Sequence, residues 1–518
     1  MYLTRLIQRA AALNPDAVAT VNNDRVRTYR ESADRVAKLA GGLQSLGVQS
    51  GDRVAVLALN SDRFFECCYA IPWAGAVIVP MNTRWSVPEL QYSVEDAGVS
   101  TLIIDGNFSD QAQDILAGMS GVRSVIYAGD GDTPEGMDNY EVLIEQSEAA
   151  DDAARGNDDL AGIFYTGGTT GFPKGVMLSH CNLWINSVLT IAERGGVSED
   201  SWLHVAPMFH LGDIQFVFIK TMECQKHVFL PEFEPESVMQ CIETQGVSDL
   251  LLVATMLKAI LEHPARKNYE LSGLKSISYG AAPMPESVIR EAMREFPGVG
   301  FYQGYGQTEM APLIGLLKPE DHDLDGPNTH RLRAAARPAI GIELKIVDDE
   351  LNEVSCGSVG QVIVRGPNAM LGYWNKPEQT KETIVDGWVL TGDAGYLDND
   401  GYLYLVDRVK DMIISGGENI FSAEVERALD SHPAINEAVV IGVPHEKWGE
   451  TVHAIVILKI GAEAEEQDII WHCKEKIAGY KCPRSVEFRT EPFPLSGVGK
   501  ILKNELRKPF WEEGKNIN

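Results

Sequence analysis

Nowhere in the 518 residues does an uninterrupted apolar run approach the roughly 20 residues that a membrane-spanning helix needs, so no span is expected. No cleavable apolar leader is expected: MYLTRLIQRAAALNPDAV carries helical periodicity with interspersed arginines and does not read as a secretory signal. Basic charge is in short supply. Lys and Arg number 45 against 74 Asp and Glu, and the net charge of −29 argues against nucleic acid or an anionic membrane surface as the main partner. That excess suits the solvated skin of a soluble enzyme, and any anionic substrate must be held by local sites working against it. The cysteines are few, at Cys67, Cys68, Cys181, Cys224, Cys241, Cys356, Cys473 and Cys482. They form no CxxC pair and no Cys/His spacing suited to zinc, and read as reduced thiols in a reducing compartment. A cytoplasmic location is therefore expected. No GxSxG elbow is present to suggest a serine hydrolase, and neither internal repeats nor low-complexity tracts occur.

What is present is an ordinary globular composition, 44% apolar, in a chain too long for one hydrophobic core; two or more domains are expected. Short β-branched runs alternate with amphipathic stretches over the first four hundred residues: RVAVLAL, then SDRFFECCYAIPWAG, then AVIVPMN, and later STLIID. SVIYAG and SISYGAAP are further strands that end in small residues. This alternation predicts an α/β fold of mostly parallel sheets covered by helices. From about residue 337, RPAIGIELKIVDDE and GSVGQVIVRG read as period-two strands of a small β subdomain. After DRVKD, EVERALDSHPAI and EQDIIWHCKEKIAG read as helices, and EAVVIGVP and HAIVILKI as strands. The expected organisation is a large N-terminal domain, 1–408, and a small mobile α+β domain, 409–518.

The strongest chemical signal is IFYTGGTTGFPKGVMLSH, residues 163–180. An apolar strand enters a loop packed with Gly and Thr and then a helix-like stretch. Glycines let backbone N–H groups close around phosphate oxygens, and the hydroxyls of Thr166, Thr169 and Thr170 add donors. Lys174 supplies a point charge. A flexible surface loop is the plainer reading of four glycines, but three hydroxyls, a Pro-Lys pair and a leading strand favour phosphate. The segment is not the P-loop of kinases and motor ATPases, which places Ser or Thr after its lysine; here Gly175 follows Lys174.

The segment resembles the phosphate loop of the adenylate-forming superfamily, which holds acyl-CoA synthetases, firefly-type luciferases and peptide-synthetase adenylation domains. Further motifs follow in that family's order, over roughly residues 25–507: YGAAP, GYGQTEM, WVLTGDAGYLDNDGYLYLVDRVKD, SGGENIFSAEVE and PLSGVGKILKNEL. The resemblance implies ATP, Mg2+ and coenzyme A as cofactors and a carboxylic acid as substrate. It places Thr166, Gly167, Gly168, Thr169, Thr170, Gly171 and Lys174 around the phosphates. Gly280, Ala281 and Ala282 would lie against adenine, with Gly304, Tyr305 and Gly306 beside them and Tyr305 stacked on the purine. Thr308 would touch phosphate, and Glu309 would hold magnesium, since a hard cation prefers a carboxylate. Asp393, which residue type alone would make a turn residue, would accept from the ribose hydroxyls, and Arg408 would reach the same sugar. Lys410 takes the hinge position. Gly416, Gly417 and Glu418 would line a pantetheine tunnel, and SGGEN favours CoA over a carrier protein. His210, more simply a core residue beside Phe209, would gate the acyl or thiol channel. Lys500 would bridge acid and α-phosphate. Gly167 stands where many relatives carry serine, a loss of one hydroxyl donor that leaves three threonines.

These residues imply an acid–thiol ligase that makes an acyl-adenylate and passes the acyl group to CoA. The acyl pocket is expected near Trp202–His210, Val253–Met256, Gly280 and Tyr305–Ala311, all apolar or aromatic, with no Arg or Lys placed to meet a second carboxylate. YKCPRSVEF and LKNELRKPFW resemble synthetases of aliphatic acids, so a medium- or longer-chain fatty acid is expected, with an aryl acid such as a benzoate or cinnamate as the alternative. A luciferase-like monooxygenase would share the nucleotide residues; a non-catalytic binding protein would have lost Lys500 or Glu309. The exposed small-residue loop around Lys500 makes acetylation a possible control. Monomer and homodimer are both open.

Overall fold

Runs of Val, Ile and Leu too apolar to face water on either side become the central strands of two sheets. The computed structural model describes residues 1–166, 173–196, 201–280, 284–408, 411–415, 418–445, 447–495 and 501–511. It divides into two units, Met1–Glu343 with Val364–Val389, and Leu344–Ile363 with Leu390–Asn518.

The first unit is built on two large sheets. One has the strand order Gly372–Tyr373, Lys174–Ser179, Leu160–Thr166, Val77–Pro80, Arg53–Leu57, Val99–Ile104, Ser124–Tyr127 and Asp138–Asn139. From Leu160–Thr166 onward its neighbours run parallel, and the first two strands are antiparallel additions. The second has a parallel centre, Gly300–Gly306, Ser276–Gly280, Asp249–Leu251, Ser201–His204, Lys226–Phe229 and Val18–Asn22, with antiparallel strands at both ends. The α/β class and the mostly parallel sheets agree with the sequence. Helices start where short polar side chains can cap them: Thr28 and Glu31 close a capping box at Tyr29–Ser45, and Ser179 caps His180–Arg194. Among the described residues no helix is long and apolar enough to cross a membrane.

The second sheet has two unlike faces. Leu203, Leu250, Ile277 and Phe301 point to one side, into a core with Val238, Ile242, Leu257 and Ile289 from the covering helices. Alternation puts Trp202, His204, Asp249, Ser276 and Ser278 on the other side, against His180–Arg194 and Leu211–Met222.

In the second unit, Asp393–Leu397 pairs antiparallel with Leu403–Arg408. A further α+β body has strand order Glu418–Ile420, Ile413–Ser415, Gly449–Leu458 and Ile435–His445, with Ser485–Phe488 parallel to Gly449–Leu458. Helices Ser422–Asp430, Glu466–Lys474 and Lys503–Trp511 cover it. The helices and strands read after DRVKD are all found there.

Candidate active site

The phosphate segment is a hairpin rather than a strand and helix. Leu160–Thr166 and Lys174–Ser179 run antiparallel with Thr166 opposite Lys174, whose carbonyl accepts from the Thr166 hydroxyl at 3.5 Å. The helix-like reading of the stretch after the loop is corrected: Lys174–Ser179 is a strand, and the helix begins at His180. Val176 and Leu178 are buried in period two, and a Cβ at Gly175 would come 2.7 Å from Ile163, so the glycine lets the two strands close. Gly167, Gly168, Thr169, Thr170 and Gly171 lie outside the described residues.

Strand Gly372–Tyr373 pairs on the outer edge of this hairpin, Tyr373 opposite Val176. It brings in a residue that sequence reading missed. The Tyr373 hydroxyl donates to Glu309 Oε1 at 2.7 Å, and Lys174 Nζ lies 5.0 Å from the centre of the same ring. Burial first, and then the Glu309 carboxylate, push the Tyr373 phenol well above its ordinary range, so it stays a donor. Glu309 sits in the 3-10 turn Thr308–Met310, whose Glu309 carbonyl accepts from Met370 N at 2.8 Å. Two residues of the expected ATP site, Lys174 and Glu309, are thus joined by one aromatic. No spacing signal marks Tyr373, because 64 residues separate it from Glu309.

Gly280 and Gly304 are the last partners of two neighbouring parallel strands and face each other in register. Gly280 has φ +155°, and a Cβ there would fall 2.3 Å from Gly304 O, so the strands approach as only glycine allows. Tyr305 is buried at the end of its strand and Gly306 is exposed. Ala281 and Ala282 lie outside the described residues. His210 is the N-cap residue of Leu211–Met222, with its ring tilted against Phe209 at 4.3 Å between centroids.

Below Gly280, the sheet face that carries Ser276 and Ser278 is more polar than expected. Trp202 and Phe216 stack at 3.6 Å and 16°. Arg194 Nη2 meets both Asp249 oxygens at 3.0 and 2.8 Å and Ser276 Oγ at 3.0 Å, and Nη1 donates to Ser278 Oγ at 2.6 Å. Its guanidinium carbon lies 4.2 Å from the Tyr302 ring centre. Lys220 Nζ meets Asp249 at 2.9 Å. Burial pushes the Asp249 carboxyl up, but Arg194 and Lys220 outweigh it and hold it below its ordinary value. Two cations, Arg194 and Lys220, stand on this sheet face, and both are committed to Asp249.

In the second unit, Asp393 and Arg408 are register partners on adjacent strands, and the Asp393 amide donates to Thr391 Oγ1 at 3.1 Å. Glu418 opens strand Glu418–Ile420 opposite Ser415. Lys410, Gly416, Gly417 and Lys500 lie outside the described residues. A cation–aromatic group unmarked in the sequence reading stands here: Lys447 Nζ is 4.5 Å and the Arg484 guanidinium 5.3 Å from the Trp448 ring centre.

An AMP-binding enzyme family model matches residues 7–374, and one for the AMP-binding enzyme C-terminal domain matches 424–500. The feruloyl-CoA synthase of an Amycolatopsis species is 37% identical over 97% of this chain and 98% of its own length. The 2-succinylbenzoate–CoA ligase of Bacillus cereus (strain Q1) is 35% identical over 97% of this chain and 98% of its own. The solved o-succinylbenzoate CoA synthetase of Bacillus subtilis, in complex with its acyl-adenylate intermediate, superposes with a TM-score of 0.86 at 30% identity, covering 99% of this chain and 98% of that one. With both halves matched and relatives aligned along nearly their full length, the chain belongs to the AMP-binding enzyme family, as an AMP-forming acyl- or aryl-CoA ligase.

Proposed function

We propose that the acid activated is aromatic, of benzoate or arylpropenoate size, and that its acyl group passes through an acyl-adenylate to coenzyme A. The single observation that carries this reading is the sheet face below Gly280. A strand advances about 7 Å in two residues, and two residues below Ser278 the Arg194–Asp249–Lys220 cluster fills the face. A long alkyl chain would have to run on against those buried ions, whereas a flat ring is short enough to stop above them, level with Gly280 and Ser278. The names of the two curated relatives, a feruloyl and a succinylbenzoate ligase, favour the same class over the medium- or longer-chain aliphatic acid read from the sequence.

In the first step a carboxylate oxygen attacks the α-phosphorus of ATP, the bond to the β-phosphate breaks, and pyrophosphate leaves. Two anions must meet, so Lys174, the Gly/Thr loop and Lys500 spread their charge. A single ammonium about 4 Å away offsets about 4 kcal/mol at an effective dielectric of 20. A magnesium ion fits Glu309: the carboxylate is half-exposed and Tyr373 holds only Oε1, leaving hard oxygen donor capacity. Bound there, it would neutralise phosphate oxygens. In the second step the CoA sulfur attacks the acyl carbon and the bond to AMP breaks. Asp393 and Arg408 hold the ribose, Gly416, Gly417 and Glu418 line the thiol path, and His210 gates it. Lys447, Trp448 and Arg484 offer a cationic, aromatic surface suited to the nucleotide end of CoA. A boundary at 408/409 with Lys410 as pivot lets one small domain serve both steps.

Pyrophosphate release measured across benzoates, cinnamates and C6–C16 fatty acids, with and without CoA, tests the reading. Aromatic acids should lead and a CoA thioester should accumulate. Preference for the fatty acids would overturn the aromatic assignment, and release that never yields a thioester would overturn CoA as the acceptor.

A further inference from the structure

Ser278 combines three properties that place a directed hydrogen-bond donor beside Gly280, on the floor of the expected acyl pocket. It lies on the face of its strand shared with Gly280, two residues below the glycine pair. It is buried, only 5% exposed. Its oxygen is already engaged as an acceptor, because Arg194 Nη1 donates to it at 2.6 Å and a guanidinium has no lone pair to offer in return. The Ser278 proton therefore must point elsewhere, and among the described residues no side chain or carbonyl accepts it. Ser276, on the same face, differs: it accepts from Arg194 and donates its own proton to Asp249 Oδ1 at 2.5 Å, so its hydroxyl is spent at both ends.

The surroundings fix that donor. Asp249 pins the guanidinium through both oxygens and Tyr302 supports its face, so Arg194 cannot swing away and release Ser278. A hydroxyl that accepts from a cation is a stronger donor, since polarisation along a hydrogen-bond chain reinforces each link.

We propose that Ser278 is a specificity-determining residue: its hydroxyl, polarised by Arg194, donates to an oxygen on the distal end of the acid's aromatic ring. The inference rests on the aromatic reading above and sharpens it to aryl acids that carry a phenolic, ether or carbonyl oxygen away from the carboxylate. An acid without that oxygen leaves the donor buried and unpaired, and sites built this way discriminate far more strongly than apolar pockets that lose a methylene.

The test compares kcat/KM for 4-hydroxycinnamate and for cinnamate, read as pyrophosphate release, in the wild type, in Ser278→Ala and in Ser278→Thr. The wild type should favour the hydroxylated acid at least tenfold. Ser278→Ala should erase most of that ratio, lowering kcat/KM for the hydroxylated acid and raising it for cinnamate, which no longer leaves a donor unpaired; Ser278→Thr, which keeps the hydroxyl, should retain the ratio. Equal ratios in wild type and Ser278→Ala, with both acids adenylated, would overturn the inference and leave the aromatic reading standing. Adenylation of neither acid by the wild type would remove both.

Discussion

The Tyr373 hydroxyl donates to Glu309 Oε1 at 2.7 Å while the face of the same ring receives Lys174 Nζ at 5.0 Å. One side chain therefore sets the spacing between the carboxylate expected to hold a cation and the ammonium expected to meet phosphate. Replacing Tyr373 with Phe keeps the ring and removes the donor. A hydrogen bond to a charged group contributes about 1.5–3 kcal/mol, so adenylation should fall roughly ten- to a hundredfold. Pyrophosphate release titrated with Mg2+ is the measurement, and a raised half-saturating Mg2+ concentration is expected alongside the slower rate.

Lys500 is the residue asked to bridge two anions as they react. Lys500→Ala should slow acyl-adenylate formation roughly a hundred- to a thousandfold, the cost typical of losing one transition-state donor. The thioester step supplied with preformed acyl-adenylate should change much less. Single-turnover measurement of each half-reaction separates the two, and an undiminished first half-reaction would contradict the assignment. Chemical acetylation of the same lysine should mimic the alanine variant.

Gly280 cannot carry a side chain without moving a neighbour, since its Cβ would meet the Gly304 carbonyl oxygen at 2.3 Å in a backbone with φ +155°. Gly280→Ala should destabilise the first unit by at least about 2 kcal/mol from strain at such a φ and the forced strand separation. A lower thermal midpoint and weaker ATP binding are expected together, because the clash lies where the pairing of the two strands ends, beside the expected adenine site.

His180 gives the fold a sensitivity to acid. The residue is 1% exposed, and its Nδ1 accepts from Leu3 N at 3.3 Å. Burial, more than the nearby charges, lowers its pKa from 6.5 to about 4. The folded chain keeps the ring neutral while the unfolded chain takes up a proton, so stability is complete above pH 6.5 and declines as pH falls from 6.5 towards 4. The loss from this residue should approach about 3 kcal/mol at the lower limit. Urea midpoints at pH 7, 5.5 and 4.5 should show it, and His180→Asn, which retains an acceptor, should flatten the dependence.

Local signals carried much of this protein. β-branched runs too apolar for water marked the parallel strands, period-two alternation marked the small sheets, and five motifs in a fixed order marked the family. The stretch from Gly175 to Ser179 misled because alternating Val176 and Leu178 in so short a run fits either period; the tie is broken by pairing with Leu160–Thr166, which lies outside the window.

The sequence by itself determined the fold class and the family, because those depend on local patterning and on motifs whose members are neighbours in the chain. Only the tertiary structure decided that Tyr373 joins Lys174 to Glu309, and that Arg194, Asp249 and Ser278 share one sheet face. The reason is geometric: tertiary packing brings together residues 55 and more positions apart, and no period in the chain records a contact of that separation.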